Sequence, residues 1–474
     1  MLEKILKLKS KKVETVKVNA SSPAVNEAAF ISKMATKISG TDNIDNDLYI
    51  KYDVKRGLRN ANGTGVVVGL TRIGEVTGYA VNEKNEKLPV EGKLYYRGYE
   101  IGDIVKSCIN ENRFGFEETT YLLLFGELPT QNQLKDFQIL LGSKRDLPLG
   151  FARDMILTAP SSSIMNKLAR SVLALYSYDT SPEDTSVENV LKQSIALIGY
   201  FPSLIAYGYQ AKRTYFNNES LHLHYPIAEL NTAENILRMI RANGEYTDLE
   251  AKLLDICLTL HAEHGGGNNS TFTTHLISSS GTDTYSAISA AVGSLKGPKH
   301  GGANIAVIEM MADLKKNVND ITNYKEVEKY LIKVLKGEAN DGSGLIYGLG
   351  HAIYTISDPR AVVLKDMAKK LATDKNLIDE FMLCDFIEKN GSDLYEQVTG
   401  IKKPMPANVD LYSGFVYNAL NIPADIATPL FATARLSGWC AHRLEEIVSG
   451  KKLMRPAYNC VQPHLEYIRM DNRK

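Results

Sequence analysis

Apolar positions along this chain recur at helical spacing over most of its length, and one early stretch alternates instead. Gly65-Val66-Val67-Val68 and Gly92-Lys93-Leu94-Tyr95-Tyr96, with the polar residues Asn82 to Asn85 between them, carry strand signals and predict a small N-terminal β-hairpin region. Beyond residue 99 helix dominates. Leu122 to Phe125 ends at Gly126, and Thr130 with Gln133 stands at capping-box spacing for the next helix. Thr247 and Glu250 repeat that spacing before Leu253, Ile256, Leu260 and His264, which share one face with Leu249. His264 is therefore expected at a helix end, where glycines take over. Residues 306–342 are more charged and less regular than their neighbours, whereas 421–450 returns to a long apolar-periodic helix closing at Gly450. The pattern predicts a mainly α fold.

Composition narrows the function classes. The 474 residues are enough for a large core and, by length alone, two or three domains. Lys and Arg (55) balance Asp and Glu (55) with no basic blocks, so there is no electrostatic reason to expect nucleic acid. No apolar stretch is read as approaching the roughly 18 residues that suggest a membrane span. The five cysteines are scattered and lack CxxC pairing, which indicates neither a disulfide framework nor a zinc site and fits a reducing compartment. The first twenty residues hold six lysines but also Glu3 and Glu14, without the apolar core and cleavage site of a targeting signal. They read as a solvated leader, and the chain as a cytoplasmic enzyme.

The chemistry-bearing residues cluster by context. His264, His300 and His351 each stand beside glycines, in His261-Ala262-Glu263-His264-Gly265-Gly266-Gly267-Asn268, Gly297-Pro298-Lys299-His300-Gly301-Gly302 and Gly348-Leu349-Gly350-His351-Ala352. Glycine admits a ligand close to ring and backbone, so three such places suggest one site. Arg360 lies nine residues past His351, Asp410 follows in Asn408-Val409-Asp410-Leu411, and Arg435 and Arg455 are twenty apart. Arginine forks match carboxylates, so the set fits a small di- or tricarboxylate held beside acid–base chemistry. Each member also has a plainer reading. His261 and His264 could be a metal pair, though no third ligand follows at a familiar spacing. His300 could be a turn residue, Asp410 a solvated loop carboxylate, and Asp358 a helix start with Pro359 at its first position. His222, His224, His275, His442 and His464 read as structural. Arg435, inside the apolar run Pro429 to Leu436, must find an anion or a wet face.

These runs, in this order, together with Gly92 to Tyr99, Phe116-Glu117-Glu118 and Leu122 to Pro129, resemble the citrate synthase family from about residue 45 to 460. The resemblance implies a two-domain helical fold: a leader over 1–45, a large domain from 46–301 and 421–474, and a small domain over 302–420, with the active site in the cleft between the domains. It implies that Asp410 is the base that removes a methyl proton from acetyl-CoA, that His300 donates to the enol oxygen, and that His351 donates to the keto oxygen of oxaloacetate. It further implies that His264, Arg360, Arg435 and Arg455 hold oxaloacetate, Arg455 reaching in from the partner of a homodimer. A hexamer is also open. No metal or redox cofactor is expected, and acetyl-CoA is a substrate.

One departure concerns CoA. Family members often carry a basic residue at the first or fourth position after the histidine of the GxGH run, and here those positions are Ala352 and Thr355. The segment Leu345, Ile346, Gly348 and Gly350 is expected to bracket the adenine, with Lys296 or Lys402, and also Lys299 or Lys365, as candidates for the phosphate contacts. A 2-methylcitrate synthase acting on propionyl-CoA would use the same residues, since one methylene is worth only about 1–3 kcal/mol in a pocket. A non-catalytic structural paralogue is the alternative of a different class, and the presence of His300, His351 and Asp410 together argues against it.

Overall fold

A computed structural model describes residues 26–41 and 43–473, so the lysine-rich first twenty residues lie outside the described residues. The chain divides into two compact units, one running up to Val66 and resuming at Tyr458, the other spanning Val67–Ala457. The first contains the helices Glu27–Thr41 and Asn46–Lys51, the latter with no buried residue. All candidate site residues belong to the second.

That unit is mainly helical, with one three-stranded antiparallel sheet in the order β1 (Gly74–Val81), β2 (Lys87–Tyr96), β3 (Tyr99–Glu100). The hairpin turn falls where the polar segment predicts it: Asn82 Oδ1 accepts the N–H groups of Lys84 and Glu86 at 3.0 and 2.9 Å. The first strand does not fall at Gly65–Val68. Gly65 forms only an isolated bridge with Arg59, Val67 and Val68 are exposed, and β2 pairs instead with 74–81, from Gly74 opposite Tyr96 to Val81 opposite Lys87. A valine run without a core to face has no reason to be a strand, whatever its propensity.

Both expected capping boxes form, at Thr130/Gln133 and Thr247/Glu250. They start the helices Gln131–Gly142 and Asp248–His261, so His264 sits three residues past its helix, in the turn that follows. The long C-terminal helix is Ala424–Ser449, ending at Gly450. It packs along Val187–Asn217, a 31-residue helix that carries Pro202 inside it. This second helix corrects the membrane expectation, because by length and composition it could cross a bilayer; 78% of its apolar window is buried within the protein, which makes it a core helix.

The principal core joins these helices to Ile164–Leu175, Asp248–His261 and Val409–Ala419. A second, separate cluster contains Met310, Leu314, Leu331, Val334, Leu383 and Ile387, from the helices Ala303–Asn317, Tyr324–Leu335 and Ile378–Thr399. Residues 306–342, irregular by pattern, are thus mostly two helices with a core of their own.

Candidate active site

The sheet sets the stage for two turns. At Gly78 an added Cβ would lie 2.6 Å from Ile353 O, and at Gly92 one would lie 2.0 Å from Ser357 O. Only glycine allows the strands to press so closely on the segment that follows His351. Thr355 Oγ1 donates to Gly78 O and accepts from Val90 N–H, fastening the two together. At the other end of β2 the buried Tyr96 hydroxyl lies 3.1 Å from the carbonyl oxygens of Thr259, Leu260 and Glu263 and accepts the Glu263 N–H. It thereby clamps the end of the helix that leads to His264.

His351 and Asp410 are tied by backbone. Leu349 bridges Ala407, Gly350 N–H donates to Pro406 O at 2.8 Å, and Asn408 N–H donates to Gly348 O at 2.9 Å. Asn408 does two further things: its amide donates to Gly350 O, and its side-chain oxygen caps the helix Val409–Ala419 through Asp410 N–H. Gly348 and Gly350 have φ of +88° and +79°, so this close pairing uses backbone that favours glycine. His351 Nδ1 accepts the N–H groups of Ile353 and Tyr354, each at 3.1 Å. A nitrogen accepting two hydrogen bonds carries no proton, so the ring's own N–H is at Nε2. Burial, reinforced by the Arg360 charge, pushes the His351 pKa down to about 4, and the ring is a neutral donor.

His300 lies in the turn between the helices Thr284–Lys296 and Ala303–Asn317. Its Nε2 is 3.0 Å from Ser270 Oγ, which accepts the indole N–H of Trp439 at 3.1 Å and lies 2.9 Å from Asn268 Oδ1. Burial brings its pKa to about 4 as well. Asp410 moves the other way: desolvation of its carboxyl, partly offset by Arg360, raises its pKa to about 6. A carboxylate poised nearer neutrality is a stronger base than an ordinary surface aspartate.

The arginines differ in what they have left to give. Arg435 is fully buried, donates from Nε to His261 O at 2.8 Å and lies over the Phe431 ring, while Nη1 and Nη2 have no partner. Burial lowers its pKa to about 10. Arg360 is equally buried but already engaged, its Nε and Nη2 donating to Asp358 at 3.0 and 2.7 Å. His264 joins them as a neutral ring, its pKa pushed well down by burial and by Arg360, with Nε2 buried and unpartnered. Its ring centroid is 5.2 Å from that of His351. His264, His351, Arg360 and Arg435 therefore converge, with Asp410 coupled to both arginines. Arg455 is not brought in by its own chain: it is exposed, on the extended segment after the last long helix.

The residues expected to meet CoA are dispersed. Leu345 is half exposed, the Ile346 side chain is packed in the second core, and Gly348 abuts Leu411. Lys296, Lys299 and Lys402 are exposed, whereas Lys365 is held by Asp385 and Glu388.

Several contributors escaped the sequence reading. Tyr354 stacks on His351 at 4.5 Å, stands edge-on to His264, and has a buried hydroxyl without a partner. Asp358 does start its helix, with Pro359 at the first position, and is also the partner of Arg360. His275 and His442, expected to be ordinary structural residues, form part of a buried polar chain with Glu263 and Glu446. Their pairing is long-range, and neither lies in a glycine-rich run.

The family profile described as "Citrate synthase, C-terminal domain" matches residues 60–457. A citrate synthase of Synechocystis is 34% identical over 385 residues, 81% of this chain and 89% of that protein. The 2-methylcitrate synthase 1 of Corynebacterium glutamicum is 32% identical over 416 residues, 86% of this chain and 96% of that protein. The crystal structure of citrate synthase from Thermotoga maritima superposes with a TM-score of 0.68 at 30% identity, covering 89% of this chain and 99% of its own.

Proposed function

This chain belongs to the citrate synthase family of acyltransferases, and on that premise we propose that it condenses acetyl-CoA with oxaloacetate and hydrolyses the citryl thioester to citrate and CoA. The observation that carries the reading is Arg435: a guanidinium buried in the core with two unpartnered nitrogens, beside the unpartnered Nε2 of His264. Such a charge is costly to bury alone, and a carboxylate of the substrate matches its free edge.

The chemistry follows from what each group can donate or accept. Asp410 takes a proton from the thioester methyl, whose acidity is far below that of a carboxyl, so the emerging enolate oxygen must be stabilised at the same time. His300 supplies that hydrogen bond from Nδ1 when the Ser270 hydroxyl, which lies 2.9 Å from Asn268 Oδ1 and 3.0 Å from His300 Nε2, turns its one proton from the amide oxygen to the ring. The enolate carbon attacks the ketone carbon of oxaloacetate, and His351 Nε2–H donates to the keto oxygen as it gains charge. Neutral imidazoles suit both tasks, because they share a proton without carrying a positive charge into the cleft. Water then cleaves the thioester, releasing CoA. No metal, flavin or nicotinamide enters the scheme.

The same reading places the site between a large domain (46–301 with 421–474) and a small one (302–420), in a cytoplasmic homodimer, itself able to build a hexamer, whose Arg455 completes the partner's site. Leu345 to Gly350 would meet the adenine through backbone, and the exposed Lys296 and Lys402 the phosphates. The relatives named 2-methylcitrate synthase favour a second reading, propionyl-CoA as the acyl donor. Free-thiol release with oxaloacetate and each thioester separates them. Acetyl-CoA is expected to have the higher kcat/KM, and a higher value for propionyl-CoA moves the protein to the second reading.

A further inference from the structure

Four side chains from three parts of the fold form one hydrogen-bonded chain under the His264 turn. Glu446 Oε2 lies 2.8 Å from His275 Nδ1, His275 Nε2 lies 3.0 Å from His442 Nδ1, and His442 Nε2 lies 2.9 Å from Glu263 Oε1. His275 belongs to the helix Asn269–Ser278, His442 and Glu446 to Ala424–Ser449, and Glu263 to the turn itself. Each hydrogen bond needs one proton on one of its two atoms, so three bonds need three protons. Two neutral imidazoles carry two. Ionised carboxylates carry none, and an imidazole ordinarily holds a proton to about two pH units higher than a carboxylate does. The third proton therefore belongs to the rings.

Charged groups of both signs surround the ring pair. Glu445, from the same helix as His442, places Oε2 3.8 Å from His442 Nδ1, and that oxygen has no hydrogen bond, while Oε1 accepts the Arg72 N–H. Three carboxylates thus face the ring pair. The cations opposing them are Arg97, which faces Glu445 and Glu263, and Arg435, which faces Glu263. Burial and the neighbouring His442 ring outweigh Glu446 and Glu445 and hold the His275 pKa below its ordinary value, so it is the hydrogen-bond count that calls for the third proton. Gly266 lies beside both rings without adding charge, a Cβ there falling 3.7 Å from His442 and 3.8 Å from His275.

Glu263 transmits the consequence. Besides His442 it accepts the Gly265 N–H at 2.5 Å, on the far side of His264, so one carboxylate oxygen joins the ring pair to the turn that aims His264. We propose that the His275–His442 pair holds one proton more than two neutral rings and, through Glu263, positions His264 for oxaloacetate. The positioning rests on the oxaloacetate reading above; the proton count does not.

Two measurements on the full-length chain test the two halves. With [15N]histidine labelling, the pair, assigned by what His275→Gln removes, is expected to show three protonated ring nitrogens of four near neutrality, and two of four overturns the proposal. A chelator should leave these signals unchanged; a change means that a divalent cation stands in for the third proton, which also overturns it. Oxaloacetate binding can be read from Trp439, the single tryptophan, which hydrogen-bonds Ser270 beside His300. His275→Gln should weaken binding about ten-fold, the loss of one charge-assisted hydrogen bond. It should raise the oxaloacetate KM with kcat at saturation little changed. His275→Arg supplies a permanent cation, so it should restore binding and keep it tight at alkaline pH, where the wild type weakens as the shared proton leaves. Identical pH dependence in the wild type and His275→Arg overturns the positioning role. A wild type that binds no oxaloacetate overturns it too, together with the proposed activity, and leaves the proton to be decided by the ring count.

Discussion

Asp358 holds Arg360 with both carboxylate oxygens, Oδ1 against Nε at 3.0 Å and Oδ2 against Nη2 at 2.7 Å, inside the protein. The same Oδ2 accepts the Val409 N–H at 3.2 Å, in the first turn of the helix that carries Asp410. One edge of Arg360 is thus spent on the protein, while Arg435 keeps two nitrogens free. The two arginines are not equivalent, although their sequence contexts suggest the same role.

Asp358→Asn keeps the shape and removes the charge. Breaking a buried ion pair from one side leaves the other charge uncompensated, at about 3–5 kcal/mol. A fall in Tm together with lost turnover is expected, because Arg360 and the Asp410 helix are both released. A Tm close to wild type would mean that the pair contributes little to the fold.

Arg435→Lys retains the charge but loses the planar fork. The oxaloacetate KM should rise by about ten-fold or more, as hydrogen bonds to charged groups are worth roughly 1.5–3 kcal/mol. The acetyl-CoA KM should be unchanged. Initial rates with each substrate varied in turn decide it, and a shift confined to acetyl-CoA reverses the assignment.

Asp410 gives a prediction with a pH sign. Its pKa is raised to about 6, so the carboxyl is ionised and able to act as base only above that pH, and kcat/KM should fall on the acid side with a limb near 6. Asp410→Asn should lower turnover by about 10²–10⁴. A raised pKa also means that the folded state favours the protonated form. The associated stability is present at low pH and lost as pH rises through about 6. The neutral amide should therefore raise Tm at alkaline pH while lowering turnover by that factor, a combination that thermal scans alongside thiol assays would detect.

How far the sequence reached can be read from these residues. The helix Asp248–His261 and its cap were legible because capping and 3.6-residue periodicity are local. His264, His300, His351 and Asp410 were legible as candidates because glycine-flanked histidines and a familiar order of runs are also local features. What stayed hidden is set by long-range contacts. The sheet's first strand is chosen by pairing with β2, a relation that the valine run at 66–68 does not encode. Asp358 looks like a helix start, which it is, and nothing in Asp-Pro-Arg says that the carboxylate folds back on the guanidinium two residues on. His275 and His442 are 167 residues apart and meet only in the fold.

Arg455 is exposed on its own chain, and in the dimer proposed above it serves the partner's site. Two-fold symmetry makes such an exchange reciprocal, each chain lending its arginine to the other. Asp410→Asn and Arg455→Ala chains, each inactive alone, are refolded together in equal amounts. If Arg455 crosses over, one site of each heterodimer combines both defects and the other has neither. Random pairing makes about half of the dimers mixed, so roughly a quarter of wild-type activity should return. If Arg455 acts within its own chain, every site keeps one defect and mixing restores nothing. Mixed samples no more active than their parents, with heterodimers verified by mass, would refute the shared site.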